Sequence, residues 1–116
     1  MIRRRARQPS ICRRPVIFVE LSGASGATYR FRPWADAGQA PNGGNFAVVE
    51  RADGKIAVHL IGVTNDLSKA RAYVLDAGLS DEDLFIRLNV ARAARRLEYD
   101  DLVAHYEPRH ALDADT

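Results

Sequence analysis

The dipeptide Asp53-Gly54 stands between two runs of strand-forming residues and constrains the fold more than any other feature of this chain. Asn45–Arg51 (NFAVVER) precedes it, and Lys55–Ile61 (KIAVHLI) follows it. Asp-Gly is a favoured two-residue loop in β-hairpins, because a type I′ turn needs a positive φ at both of its central positions. The sequence therefore predicts a β-hairpin, around which the rest of the chain must pack.

A helix and a further strand are expected after this hairpin. Thr64 or Asn65 can cap a helix over roughly Asp66–Ala77, which Gly78 terminates. The following Ser-Asp-Glu-Asp segment is also typical of a helix start. The apolar residues after it nevertheless alternate with a period of two, which predicts a strand over Leu84–Leu88.

The apolar period changes again near residue 91, which predicts a last helix. One helical stripe would contain Ala91, Ala94, Leu97, Leu102 and Tyr106. Pro108 stops this helix, because its ring cannot continue an α-helical backbone. We expect residues 111–116 to be a frayed tail.

A second hairpin is expected before the Asp53-Gly54 hairpin. Val16–Leu21 and Thr28–Trp34 are its strands, with Ser22–Gly26 as the turn. On the second strand, Tyr29 and Phe31 share one face, and Arg30 and Arg32 share the other.

The predicted order is therefore β-β-β-β-α-β-α, with a loop over Asp36–Asn45. This order favours an α+β fold, in which a small, mostly antiparallel sheet is covered by two or more helices. We expect one domain over residues 16–110.

Composition excludes several classes of protein. A chain of 116 residues is long enough for one independent core. No apolar run approaches the roughly 20 residues that span a bilayer. The single cysteine, Cys12, cannot form an internal disulfide or a cysteine-rich zinc site, so we expect a cytoplasmic protein without a membrane partner.

Basic residues are concentrated at the start of the chain. Six arginines lie within residues 1–14, leaving eleven basic residues against fifteen acidic ones, so the body carries about −4. We interpret residues 1–15 as a flexible Arg-rich arm, which can neutralise phosphates without reading base sequence. The arm residues assigned to nucleic acid are Arg3, Arg4, Arg5 and Arg7. A non-binding tail, or a start codon placed too far upstream, explains the same pattern.

A candidate nucleic-acid surface also lies on the second strand. Arg30 and Arg32 would hold phosphates, and Trp34 would stack a base. The alternative is an edge strand whose charges deter pairing with other sheets. The three histidines, the serines and the glycine-rich turns lack the spacings of a metal site, a catalytic triad or a phosphate loop.

The central hairpin and the segments after it resemble the GIY-YIG superfamily, which is best known for metal-dependent nucleases. The first motif falls on Gly44-Asn45-Phe46 and the second on Leu60-Ile61-Gly62. The helix start characteristic of the family falls on Thr64, Asp66 and Leu67. With the strand Leu84–Leu88, the last helix and the ending DLVAHYEP (Asp101–Pro108), the resemblance covers Asn45–Pro108.

The residues that the resemblance implies for catalysis mostly differ here. Phe46 and Leu60 occupy the motif tyrosine positions and have no hydroxyl. Arg71 lies one residue beyond the place of the family's helix arginine. Glu98 lies one residue from the place of its metal-binding glutamate. The resemblance therefore implies a domain that has lost catalysis and needs no cofactor.

Three functions remain open from the sequence. The first is a non-enzymatic binding module for nucleic acid. The second is a divergent DNA nuclease that uses Mg²⁺ or Mn²⁺ on Glu98, which requires Arg71 and Glu98 to meet near Gly62. The third is a protein-interaction module, whose oligomeric state the sequence leaves open.

Overall fold

The predicted central hairpin is present, and it lies in the middle of a six-stranded sheet with the order β1-β2-β5-β3-β4-β6. The structure is a computed structural model, which describes residues 18–37 and 41–115. The strands are β1 (Val19–Ser22), β2 (Thr28–Pro33), β3 (Gly44–Ala52), β4 (Lys55–Thr64), β5 (Leu84–Leu88) and β6 (His110–Ala114). Four neighbouring pairs are antiparallel, and β4 and β6 are parallel.

Two helices cover the sheet from opposite sides. They are α2 (Ala70–Asp76) and α3 (Arg92–Tyr106), and a single short turn of helix, α1 (Trp34–Ala37), follows β2. Phe46 and Val48 of β3 belong to the core that α2 covers, whereas Ala47 and Val49 belong to the core that contains Leu102 of α3. Since successive strand residues point to opposite faces, α2 and α3 lie on opposite faces of β3. The predicted α+β class, with a mostly antiparallel sheet covered by helices, is confirmed.

The end of the chain differs from the prediction. Residues 110–114 are not a frayed tail but β6, which pairs with β4 from Leu60 opposite His110 to Thr64 opposite Ala114. The prediction is wrong because the segment has almost no local strand signal. Its order comes from an edge of β4 that lies about fifty residues earlier in the chain.

The start of α2 also differs in detail. Asp66, rather than Thr64 or Asn65, supplies the side-chain cap, and its carboxylate accepts a hydrogen bond from the Ser68 amide at 3.0 Å. Leu67–Lys69 forms a turn of 3₁₀-helix before α2 begins. Gly78, with a φ of +82°, ends the helical segment as predicted. No helix in residues 18–37 and 41–115 is long and apolar enough to cross a membrane.

Candidate functional site

The outward side of the β1–β2 hairpin carries the basic residues that the sequence assigned to binding. Glu20, Arg30 and Arg32 alternate with the buried Val19, Leu21 and Phe31, so they point away from α3. Arg32 is opposite Ile86 of β5, whose side chain faces the same way as that of Leu88. We call the exposed side chains of this surface the open face: Phe18, Glu20, Arg30, Arg32 and Leu88.

Arg30 organises the open face. Its guanidinium carbon lies 4.9 Å from the centre of the Phe18 ring, and its Nη2 lies 3.2 Å from the Glu20 carboxylate. Both members of this ion pair are more than half exposed, so water and salt screen their attraction. The Arg30 charge therefore remains accessible to an incoming phosphate.

Trp34 does not belong to this surface. It is 8% exposed and packs in the α2-side core with Phe46, Leu60 and Ile86. The prediction that Trp34 stacks a base is therefore wrong, because an indole packed in the core has no face free for a ligand. The edge-strand alternative is wrong for Arg32, which pairs with β5, whereas residues 28–31 of β2 pair with β1 alone.

The residues at the GIY-YIG-like motif positions are part of the core. Phe46 and Leu60 have no exposed surface, and both belong to the α2-side core. Gly62 is opposite Phe46 in the β3–β4 pairing, and the phenyl ring fills the space that a side chain on Gly62 would need. These positions hold packed apolar groups, without a hydroxyl to orient a water molecule.

Arg71 and Glu98 do not meet. Arg71 is exposed on α2, and its Nε lies 2.5 Å from the carboxylate of Asp81. Glu98 is buried on α3, on the other side of the sheet, with Oε1 2.9 Å from Nε of Arg87. The nuclease hypothesis required both groups near Gly62, so that arrangement is contradicted by the positions of the two helices.

Glu98 lies in a buried polar cluster. Oε1 of Glu98 accepts a hydrogen bond from Arg87 and a second one, at 3.2 Å, from the side-chain amide of Asn89. Burial raises the pKa of Glu98, and the hydrogen bond from Arg87 opposes that effect. A carboxylate that is paired with arginine and packed under a helix does not fit the role of a Mg²⁺ ligand, which needs room for water and phosphate oxygens.

Among residues 18–37 and 41–115, no group of three His, Cys, Asp or Glu side chains is arranged to hold a metal ion. Arg3, Arg4, Arg5 and Arg7 lie outside the described residues.

Sequence reasoning did not identify two residues of the open face, Phe18 and Leu88. Phe18 is 41% exposed and Leu88 is 58% exposed. The sequence does contain a signal for Leu88: it continues the alternation of Leu84 and Ile86, which places its side chain on the same face of β5. Phe18 was placed within an apolar strand, and only the pairing of Glu20 with Arg30 shows which face it is on.

Comparison of the chain with protein families, with curated proteins and with solved structures finds no match.

Proposed function

We propose that this chain is a non-catalytic nucleic-acid-binding domain of GIY-YIG-like descent, and that its open face holds a single strand. The observation that supports the proposal most directly is the contact between the Arg30 guanidinium and the exposed Phe18 ring. A cation next to an exposed aromatic ring is the combination that binds a phosphate and stacks an unpaired base.

The spacing of charges on β2 supports the same function. Arg30 and Arg32 are two residues apart on one face, which separates their Cα atoms by about 6.8 Å. An extended strand can place successive phosphates over two such cations. Phe18 and Leu88 supply apolar surface on which any base can pack. The recognition is therefore independent of base sequence.

The descent from a GIY-YIG domain is supported by element order and by motif chemistry. The segment β3-β4-α2-β5-α3 follows the order that the resemblance implies. Phe46 and Leu60, at the motif positions, are buried and lack hydroxyls. Loss of catalysis with retention of binding accounts for both features.

The Arg-rich arm would add affinity that is independent of strandedness. Each phosphate contact made by an arginine releases counterions, so binding weakens steeply as salt increases. We expect removal of residues 1–14 to abolish most of the affinity for duplex DNA. The shortened chain should still prefer single strands, because the open face provides that preference.

Fluorescence anisotropy with a labelled oligothymidine and a duplex of equal length tests the proposal. The double variant Arg30→Glu/Arg32→Glu should bind the single strand about tenfold more weakly, because two phosphate contacts become repulsive. The matched control is Arg71→Glu, an exposed arginine on α2, which should bind as the wild type does. Equal loss in both variants, or salt-insensitive binding, would contradict the proposal.

A further inference from the structure

A polar cleft lies beside the middle of the central hairpin, between β3, β4, the segment after α2 and the start of β6. Its volume is about 630 Å³, which is within the usual range for sites that hold small molecules. Its polar side chains are Glu50, His59, Ser80, Asp83, Arg109 and His110. None of these residues belongs to the open face.

His59 enters the cleft because of an irregularity in the sheet. Val48 is opposite Leu60 and Val49 is opposite Val58, so His59 is an extra residue on β4. A β-bulge of this kind redirects a side chain, and bulges are frequent beside functional sites. The backbone therefore departs from regular pairing at the residue that lines the cleft.

A neighbouring carboxylate contacts the His59 ring, in a pair whose side chains are 40% and 60% exposed. Its Nε2 lies 2.9 Å from Oε1 of Glu50 on the adjacent strand. A carboxylate that holds one ring nitrogen orients the imidazole and leaves the second nitrogen, Nδ1, for another partner. Glu50 thus acts as a positioning residue for His59.

Two further side chains lie at the start of β6 and directly before it. His110 is opposite Leu60, the residue after His59, in the parallel β4–β6 pair, and Arg109 lines the same cleft. Among the described residues, no carboxylate forms an ion pair with Arg109. The cleft therefore contains one arginine without an acidic partner and two imidazoles, beside the carboxylates of Glu50 and Asp83.

We propose that this cleft binds a small phosphate monoester that carries hydroxyl groups, such as a sugar phosphate or a mononucleotide. Arg109 is a suitable donor for phosphate oxygens, since a guanidinium forms charge-assisted hydrogen bonds, and His59 and His110 donate in the same way when the imidazole carries both ring protons. Glu50 and Asp83 are acceptor groups suitable for the ligand's hydroxyls. A cleft with donors on one side and carboxylates on another binds such a ligand better than it binds a bare anion.

The imidazole proton signals of the full chain provide the test, because one of the three histidines lies elsewhere. His105 is on α3 and packs against the Tyr106 ring, with centroids 4.6 Å apart. The probes are ribose 5-phosphate and AMP, with ribose and sulfate as controls, and His→Gln variants assign each signal. Both phosphate probes should shift the His59 and His110 signals in a saturable way, without shifting that of His105.

A variant pair locates the phosphate. Arg109→Ala should weaken binding of ribose 5-phosphate about tenfold, as expected for loss of one charge-assisted hydrogen bond. Arg92→Ala, at an exposed arginine of α3 on the other side of the sheet, is the matched control and should bind as the wild type does. Oligonucleotide binding should not change in Arg109→Ala, which separates this site from the open face.

Tighter binding of AMP than of ribose 5-phosphate supports the proposal with a nucleotide as the ligand, and equal binding supports it with recognition limited to the sugar phosphate. No shift at millimolar probe, equal shifts in all three histidines, or equal binding of sulfate would overturn the proposal. The wild-type spectra alone decide this, even if Arg109→Ala does not fold.

Discussion

Gly62 lies directly opposite Phe46 in the β3–β4 pairing, and the phenyl ring covers the glycine so closely that a Cβ atom there would overlap it. Both residues stand where the proposed GIY-YIG resemblance has its motifs. The fold needs a glycine at position 62 for packing, whether or not the motif ever had catalytic chemistry.

Gly62→Ala should therefore destabilise the protein. The added methyl has to displace the ring of a fully buried phenylalanine, and overpacking of this kind costs about 1–3 kcal/mol. Urea unfolding measures the effect. In Phe46→Leu, which removes the ring, the same substitution should cost less. Equal costs of Gly62→Ala in the two backgrounds would show that the ring is not the cause.

Phe18 and Trp34 should respond oppositely to substitution. Phe18→Ala removes an exposed ring, so stability should change little while affinity for oligothymidine falls several-fold. Trp34→Ala removes a buried side chain and should cost about 3–5 kcal/mol of unfolding free energy. Thermal unfolding and anisotropy on both variants test this pair. Loss of binding in a folded Trp34 variant, with none in Phe18→Ala, would contradict the assignment.

The fold was largely predictable because its signals are local. The Asp53-Gly54 turn and the alternation in Leu84–Leu88 each specify an element within a few residues. The last helix is present before Pro108, but the predicted apolar stripe is wrong: Leu97 is 71% exposed, whereas Arg95, Glu98 and Leu102 are buried. The positions of β6 and Trp34 depend on contacts between distant segments, which no local pattern specifies.

The candidate sites were less predictable, for the same reason. Arg30 and Arg32 were assigned correctly to one outward face, because a strand alternates. Phe18 is recognised only from the register of β1 against β2. His59 in the cleft depends on a bulge, and a bulge has no sequence signal in a hairpin whose turn is otherwise regular.

Asp101 should hold the β1–β2 turn against α3. Its carboxylate accepts hydrogen bonds from the Ser25 amide at 2.8 Å, the Ser25 hydroxyl at 2.7 Å and the Tyr29 hydroxyl at 2.7 Å. These hydrogen bonds lower the pKa of Asp101, and the bond from the Ser25 hydroxyl has the largest effect.

Asp101→Ala should therefore loosen the turn, and the Ser25 amide should exchange with solvent about tenfold faster. Asp100→Ala, the exposed neighbour on α3, is the control and should leave that rate unchanged. Unchanged exchange in Asp101→Ala would show that the turn is held by its backbone bonds alone.

The last strand ends in a buried ion pair. Arg95 and Asp115 side chains are 8% and 1% exposed, and their closest nitrogen and oxygen atoms are 2.8 Å apart. Asp115→Ala leaves the Arg95 charge buried without this partner, which should cost about 3 kcal/mol. The double variant Arg95→Met/Asp115→Leu should recover much of that stability, because it removes both charges. A double variant that is less stable than Asp115→Ala would contradict this explanation.

The same pair predicts a pH dependence. Burial alone would raise the pKa of Asp115, but the hydrogen bond and charge of Arg95, together with the charge of Arg92 and the hydrogen bond from Arg96, outweigh burial and lower it. A carboxyl whose pKa is lower in the folded than in the unfolded state stabilises the fold above its unfolded pKa of about 3.9. This stabilisation is lost as the pH falls through the folded pKa.

The stability difference between wild type and Asp115→Asn, from urea unfolding, should therefore be largest near neutral pH and shrink below about pH 4. Asp100→Asn, at an exposed position of α3, serves as the control. A difference that stays constant down to pH 3 would show that Asp115 acts through packing rather than through its charge.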